Sequence, residues 1–364
     1  MTQTASINTP ERSGPIRVVV VDDSALMRKI IPEILNAASD ITVVGTAADP
    51  YAARAIIKEL NPDVVTLDIE MPRMDGIAFL EKIMALRPMP VVMISSLTQV
   101  GAEATLRALE VGAIDFITKP KLDLSAGLQA LSEEMISKVR AAARVKVAAR
   151  PRRKSAKPAT EQLQFSGRGS EVLVAVGAST GGVEALATLI SPLPPNGPAM
   201  VVVQHMPAQF TASFASRLNS MSAAEVAEAR DGERLLPGHV YIAPGNRHTS
   251  IHRSGANFIC RLTDEPLVSG HRPSADVLFN SVAKSAGANA IGVILTGMGK
   301  DGAAGLQQMR NAGAYTIGQN ERSCLVYGMP KAAFDMGAVM AELDLQEISQ
   351  EVLKICNQRA SMRV

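Results

Sequence analysis

The chain is punctuated by short, unbroken runs rich in Val, Ile and Leu, at residues 16–21, 64–67, 90–94, 172–176, 199–203 and 290–295. Each is closed by a polar or glycine-rich turn, and helical patterns lie between them. Unbroken β-branched runs belong to strands covered on both faces, whereas a strand with one wet face alternates apolar with polar residues. Strands of this kind alternating with helices predict parallel sheets with helices on both sides. The runs stop far short of the roughly 20 apolar residues that cross a bilayer, so no membrane insertion is expected.

A chain of 364 residues is long for one such sheet, and two domains are expected. Residues 138–157 mark the divide, with nine Lys or Arg, no acid, and Pro151 and Pro158 near the end. Upstream, strands at 16–21, 42–47, 64–67, 90–94 and 114–117 alternate with helices from about Ser24, Tyr51, Gly76 and Gly101, and a last helix covers 125–143. Downstream, the parallel-type runs are interrupted by 239–243, 250–253 and 257–262. These are separated by Pro244-Gly245-Asn246 and Ser254-Gly255-Ala256 and predict antiparallel hairpin strands. The expected fold class is α/β in two domains. A (βα)5 unit spans 15–140 and a basic flexible linker 141–168. A mostly parallel, doubly wound unit with an antiparallel hairpin region spans 169–360.

Composition excludes some functions. The formal charge is only +2, aromatic residues make up 3%, and no helix-turn-helix pattern is present, so no nucleic-acid partner is expected. The first 14 residues are polar and lack a signal-peptide pattern, which predicts a cytoplasmic protein. Cys260, Cys324 and Cys356 are odd in number and set in apolar contexts, as reduced packing residues are.

In open parallel sheets, functional groups gather beyond the carboxyl ends of the strands. In the first domain that edge carries Asp22 and Asp23 after the first strand, Asp68 after the third, Ser95 after the fourth and Lys119-Pro120 after the fifth. Three carboxylates converge only around a cation, and Mg²⁺ is the hard, oxygen-seeking ion that suits them. Asp68 is the candidate phosphoryl acceptor, with a hydroxyl and a lysine to stabilise the transferring oxygens. This stretch closely resembles the receiver domain of bacterial response regulators. The resemblance implies Asp22, Asp23, Asp68 and the Glu70 backbone carbonyl as Mg²⁺ ligands and Asp68 as the phosphorylated residue. It also implies Ser95 and Lys119 as phosphate contacts and Phe116 at the aromatic switch position, where many receivers carry Tyr.

In the second domain, Gly177-Ala178-Ser179-Thr180-Gly181 fits G-x-S-x-G between a strand and a helix, where glycines permit a turn that exposes a nucleophilic serine. A phosphate loop would use the same glycines, but the lysine of G-x-x-x-x-G-K is missing. Of five histidines, only His205 directly follows a parallel strand, and His271, in a loop, is the second candidate base. Asp301 lies in the turn after the 290–295 run and completes a Ser, His, Asp order that differs from the Ser, Asp, His order of α/β-hydrolases.

Behind a receiver, this arrangement resembles the chemotaxis protein-glutamate methylesterase family, CheB, over nearly the whole chain. The resemblance implies Ser179 as nucleophile, His205 as general base, Asp301 as its orienting acid, and the backbone N–H groups of Thr180 and Met298 as oxyanion donors, with no cofactor in the ester site. It further implies methyl-accepting chemotaxis receptors as substrate, demethylated at glutamate γ-methyl esters with release of methanol. Deamidation of receptor glutamines is the second activity, and a chemotaxis histidine kinase is the phosphodonor.

Overall fold

The computed structural model describes residues 14–71, 74–96, 98–119, 125–145, 147, 163, 165 and 172–361. Pro120, the N-terminal segment and nearly all of the expected linker lie outside the described residues. The chain divides into two compact units.

The first unit runs β1 (Ile16–Val21), α1 (Met27–Asn36), β2 (Ile41–Ala47), α2 (Pro50–Leu60), β3 (Val64–Asp68), α3 (Gly76–Leu86), β4 (Val91–Ser95), α4 (Gln99–Val111), β5 (Asp115–Thr118) and α5 (Ser125–Ala143). Its five strands are parallel in the order β2-β1-β3-β4-β5. The chain reverses direction across the sheet between β1 and β3, which opens a crevice beyond those strand ends. Residues of β3 and β4 are buried throughout, their polar Thr66, Asp68 and Ser95 included, while edge strand β2 is partly exposed. Local signals place the helices. Asp49 caps α2 by accepting from the N–H groups of Tyr51 and Ala52, Pro50 opens the helix, and Asn61 ends it in the left-handed region at φ 46°.

The second unit runs β6 (Leu173–Ala178), α6 (Gly182–Ile190), β7 (Ala199–Gln204), α7 (Ala208–Met221), β8 (Glu225–Glu228), β9 (His239–Ile242), β10 (His248–Ser254), β11 (Asn257–Thr263), α8 (Ala275–Ala286), β12 (Ala290–Ile294), α9 (Ala303–Asn311), β13 (Tyr315–Gln319), α10 (Met329–Asp335), β14 (Ala341–Leu343) and α11 (Leu345–Ser361). Seven parallel strands form one sheet in the order β14-β13-β12-β6-β7-β9-β8. The chain winds outward from β6 first through β7 and then, from the other side, through β12, so the reversal falls between β6 and β12. Beneath the sheet, Phe279, Leu278 and Val282 of α8 and Leu306 and Met309 of α9 are fully buried in one core.

The hairpin expectation holds for β10 and β11, which pair antiparallel. It fails for residues 239–243. β9 pairs parallel with β7 and with β8 inside the large sheet. Its tyrosine makes the strand read as alternating, yet Tyr241 is buried. Its hydroxyl donates to the Arg234 carbonyl at 3.1 Å and accepts from the Leu236 N–H at 3.0 Å, which removes the cost of burying it. Among the described residues no helix is long and apolar enough to cross a membrane. All three cysteines are free thiols, and burial pushes each up to about 12, as expected of packing residues.

Candidate functional site

In the first unit, β1 and β3 bring Asp22, Asp23 and Asp68 together, with carboxylate oxygens within 4.8 Å of one another. Asp22 and Asp68 are fully buried and Asp23 is exposed. Lys119, at the end of β5, reaches in to place Nζ 2.8 Å from Asp68 Oδ2 and 3.8 Å from Asp22 Oδ2. Burial raises the Asp68 pKa to about 6, helped by the charge on Asp22 and opposed by Lys119. Asp22 is likewise raised by burial, against the Ser24 N–H that its Oδ1 accepts at 2.9 Å.

Asp22 Oδ2 has no hydrogen-bond partner although it is buried. An all-oxygen donor set with one buried oxygen unsatisfied fits a small hard dication, and Mg²⁺ suits this site. The other expected residues are placed less directly. Glu70 donates its N–H to Asp68 Oδ1 at 3.3 Å and accepts from Ser96 Oγ at 2.6 Å. Ser95 is buried, and its hydroxyl donates to the Ser96 carbonyl at 3.1 Å. Phe116 is buried in β5, and Lys138 of α5 covers it, donating to its carbonyl at 2.6 Å with Nζ 5.1 Å from the ring centre.

In the second unit, Ser179, His205 and Asp301 follow β6, β7 and β12, the three neighbouring strands at the reversal. The glycines of the serine loop are sterically required. A Cβ on Gly182 would lie 2.0 Å from Gln204 Oε1, one on Gly297 would lie 2.8 Å from Ser179 Cβ, and Gly181 sits at φ 78°. The Ser179 loop is also tied to its neighbours. Ser179 donates its N–H to the Thr296 carbonyl at 3.0 Å, and its carbonyl accepts from Gln204 Nε2 at 2.9 Å. Thr296 Oγ1 donates to the Thr180 carbonyl at 3.0 Å, joining the loop of Thr180 to that of Met298.

Asp301 is buried, and its hydrogen bonds among the described residues all come from donors, although the charge of Asp276 also lies near. His205 Nε2 lies 2.8 Å from Oδ2, the Ala275 N–H 2.7 Å from Oδ2, the Ser274 hydroxyl 2.7 Å from Oδ1 and the Asp276 N–H 3.3 Å from Oδ1. Two of those donors are the first N–H groups of α8, where a helix favours negative charge. Burial alone would raise the Asp301 pKa, but His205 and the other donors outweigh it and bring it to about 2. An ionised carboxylate only accepts, so His205 Nε2 carries the proton of this bond. Nδ1 is buried and has no hydrogen-bond partner among the described residues. The nitrogen orientation is thus the reverse of the familiar triad, in which Nδ1 faces the acid. His271, the second candidate base, stacks on His205 with ring centres 3.7 Å apart and planes 11° apart.

Sequence reasoning missed Gln204, Ser274 and the start of α8. Gln204 carried a signal, as the single polar residue ending the run 199–204. Ser274 followed by Ala275-Asp276 is a helix-cap pattern, but nothing local tells that the cap meets Asp301.

A (βα)5 unit with an acid cluster at its reversal, followed by a parallel α/β unit with a serine loop and a histidine–aspartate pair, is the class of response regulators with an enzymatic output. Residues 18–132 match the response regulator receiver domain and residues 174–352 match the CheB methylesterase domain. A protein-glutamate methylesterase/protein-glutamine glutaminase of Salmonella choleraesuis is 57% identical over 349 residues, 96% of this chain and 99% of that protein. Its counterpart from Shigella flexneri is 56% identical over 352 residues, again 96% of this chain and 99% of the relative. The crystal structure of the Thermotoga maritima CheB methylesterase catalytic domain aligns at 37% identity and a TM-score of 0.50, covering 51% of this chain and 99% of that one. The chain belongs to the protein-glutamate methylesterase/protein-glutamine glutaminase family.

Proposed function

We propose that this protein is a phosphorylation-regulated serine hydrolase that removes methyl groups from glutamate γ-methyl esters of methyl-accepting chemotaxis receptors. It also deamidates receptor glutamines, acting in the cytoplasm as the adaptation step of chemotaxis. The observation that carries the catalytic half is the 2.8 Å bond between His205 Nε2 and Asp301, made beside the Ser179 loop. His205 Nδ1 takes the Ser179 proton as Oγ attacks the ester carbonyl, and the Thr180 and Met298 N–H groups stabilise the oxyanion. The proton passes to the departing methoxide, methanol leaves, and water activated by the same nitrogen hydrolyses the glutamyl-enzyme. A glutamine substrate releases ammonia at the first step. In this reading the ester site uses no cofactor.

Regulation enters through Asp68, whose carboxylate attacks the phosphoryl group carried by a chemotaxis histidine kinase. Asp22, Asp23, Asp68 and the Glu70 carbonyl would hold Mg²⁺, which when bound neutralises charge on the phosphoryl oxygens. Lys119 and Ser95 contact the phosphate, and Phe116 occupies the switch position. The domain bounds of 15–140, 141–168 and 169–360 belong to the same proposal. The test follows methanol release from methylated receptor membranes with and without a small phosphodonor. The rate should rise with phosphodonor and Mg²⁺, and Asp68→Asn should abolish both labelling and the rise. Undiminished labelling of Asp68→Asn would move the acceptor elsewhere, and no methanol release by phosphorylated protein would overturn the esterase reading.

A further inference from the structure

We infer that His271 is a positioning residue that fixes the plane of the His205 imidazole, and with it the direction in which Nδ1 faces. This rests on the reading of His205 as base of the ester site. His205 is held at one nitrogen only, by Asp301, while Nδ1 has no partner. A ring with one hydrogen bond can swing about that bond and carry Nδ1 out of line. His271 lies flat on one face, at a centre-to-centre distance of 3.7 Å and an interplanar angle of 11°, and contact at that distance blocks the tilt.

The segment that carries His271 is built to hold it still. Val268 and His271 exchange two backbone hydrogen bonds at 3.1 and 2.9 Å. Between them Ser269 occupies the left-handed region at φ 52°, and its hydroxyl donates to Asp276 Oδ2 at 3.2 Å. On the other side, Arg272 donates through Nη1 to the carbonyls of Asp264 at 2.8 Å and Glu265 at 2.9 Å, and through Nη2 to Asn246 Oδ1 at 2.8 Å. Asn246 returns a bond from its own N–H to the Arg272 carbonyl at 3.1 Å. A non-glycine residue in the left-handed region costs stability, and here neighbours on both sides maintain it. The same few residues continue into Ser274, Ala275 and Asp276, the donors to Asp301. One segment therefore fixes both the base, through its ring face, and the acid, through its oxygens.

The test uses the full chain and receptor membranes, with turnover and KM measured from methanol release under phosphodonor, and folding checked by thermal melting. His271→Phe keeps a flat ring and loses the nitrogens. His271→Asn keeps a polar group and loses the ring. Misplacing a reacting group by about 1 Å can cost up to roughly 100-fold, so a tilted base should cost roughly tenfold in kcat. The expected result is that loss for His271→Asn with KM within about twofold of the parent, and recovery to within about threefold for His271→Phe. His271→Asn as active as the parent, or His271→Phe as impaired as His271→Asn, overturns the inference. Ser179→Ala run alongside separates the two levels. If it retains turnover, the site reading falls and takes the inference with it, whereas if it is inactive and His271→Asn is not, the inference alone is wrong.

Discussion

Asp68 and Asp301 occupy equivalent places in the two units, each at or beyond the carboxyl end of a strand beside the sheet reversal, and each is buried. Their acidities diverge. Asp68 is raised to about 6 and Asp301 lowered to about 2. Burial works in the same direction on both, so the partners decide. Asp68 faces two other carboxylates and one lysine, a site short of positive charge. Asp301 has one carboxylate, Asp276, near it, but it faces a histidine, a hydroxyl and the opening N–H groups of α8, which outnumber that charge. The first arrangement, with like charges unbalanced, suits the phosphoryl acceptor proposed for Asp68. The second, held ionised by its donors, suits the orienting acid proposed for Asp301.

The strongest way to break the comparison is through turnover. Ser179→Ala should lower methanol release by about 10⁶-fold and Asp301→Asn by about 10⁴-fold, while both leave phosphorylation of Asp68 intact. An Asp301→Asn protein within about tenfold of the parent would mean that the carboxylate merely caps α8.

A smaller effect separates the two carboxylates by pH. Asp68, raised above its unfolded value, weakens the fold at pH above about 6, and that penalty is relieved as pH falls through 6 toward 3.8. Asp301, depressed, contributes stability above pH 3.8 that is lost as pH falls through about 2. Asp68→Asn should therefore stabilise the first unit at pH 7 by up to about 3 kcal/mol, with the gain gone near pH 4. Asp301→Asn should destabilise the second unit at pH 7 by about 2 kcal/mol, with the loss persisting at pH 4 and fading toward pH 2. Denaturant midpoints at pH 7, 4 and 2 check both signs, and Mg²⁺ should stabilise the parent at pH 7 but not Asp68→Asn. Both variants more stable than the parent at pH 7 would show that burial, not partners, governs these sites, and both less stable would show that partners govern Asp68 as well.

What the sequence disclosed follows the same physics. The strands before Asp22, Asp68, Ser179, His205 and Asp301 are largely apolar runs, and a residue in the turn after such a run lands on the functional edge by topology alone. Legibility failed where polar groups are buried and satisfied at a distance. β13 is not legible because Thr316, Gly318 and Gln319 leave Tyr315 and Ile317 as its apolar residues, yet Thr316 donates to the Ala338 carbonyl at 2.7 Å, and Gln319 accepts from the Thr296 N–H at 2.7 Å. The Asp301 shell was hidden for the same reason. Ser274 looks like an ordinary cap until the fold brings it to a residue 27 positions away.

The smallest expected effect tests how complete the Asp301 site is. Ser274→Ala removes one donor from Oδ1 and the cap of α8, which accepts from the Val277 N–H at 3.4 Å. Losing a cap costs about 1 kcal/mol of stability. Turnover should nevertheless fall only about threefold, because His205 and the Ala275 and Asp276 N–H groups still hold the carboxylate, and one neutral hydrogen bond contributes about 1 kcal/mol. With its pKa raised from about 2 but still far below neutrality, Asp301 stays ionised, and the pH profile of kcat/KM above pH 5 should not move. A displaced acidic limb, or a loss near that of Asp301→Asn, would mean that the hydroxyl and not the helix end keeps this carboxylate charged. The contrast with Asp68, which Lys119 and the Glu70 N–H together fail to bring down, would then rest on side chains alone.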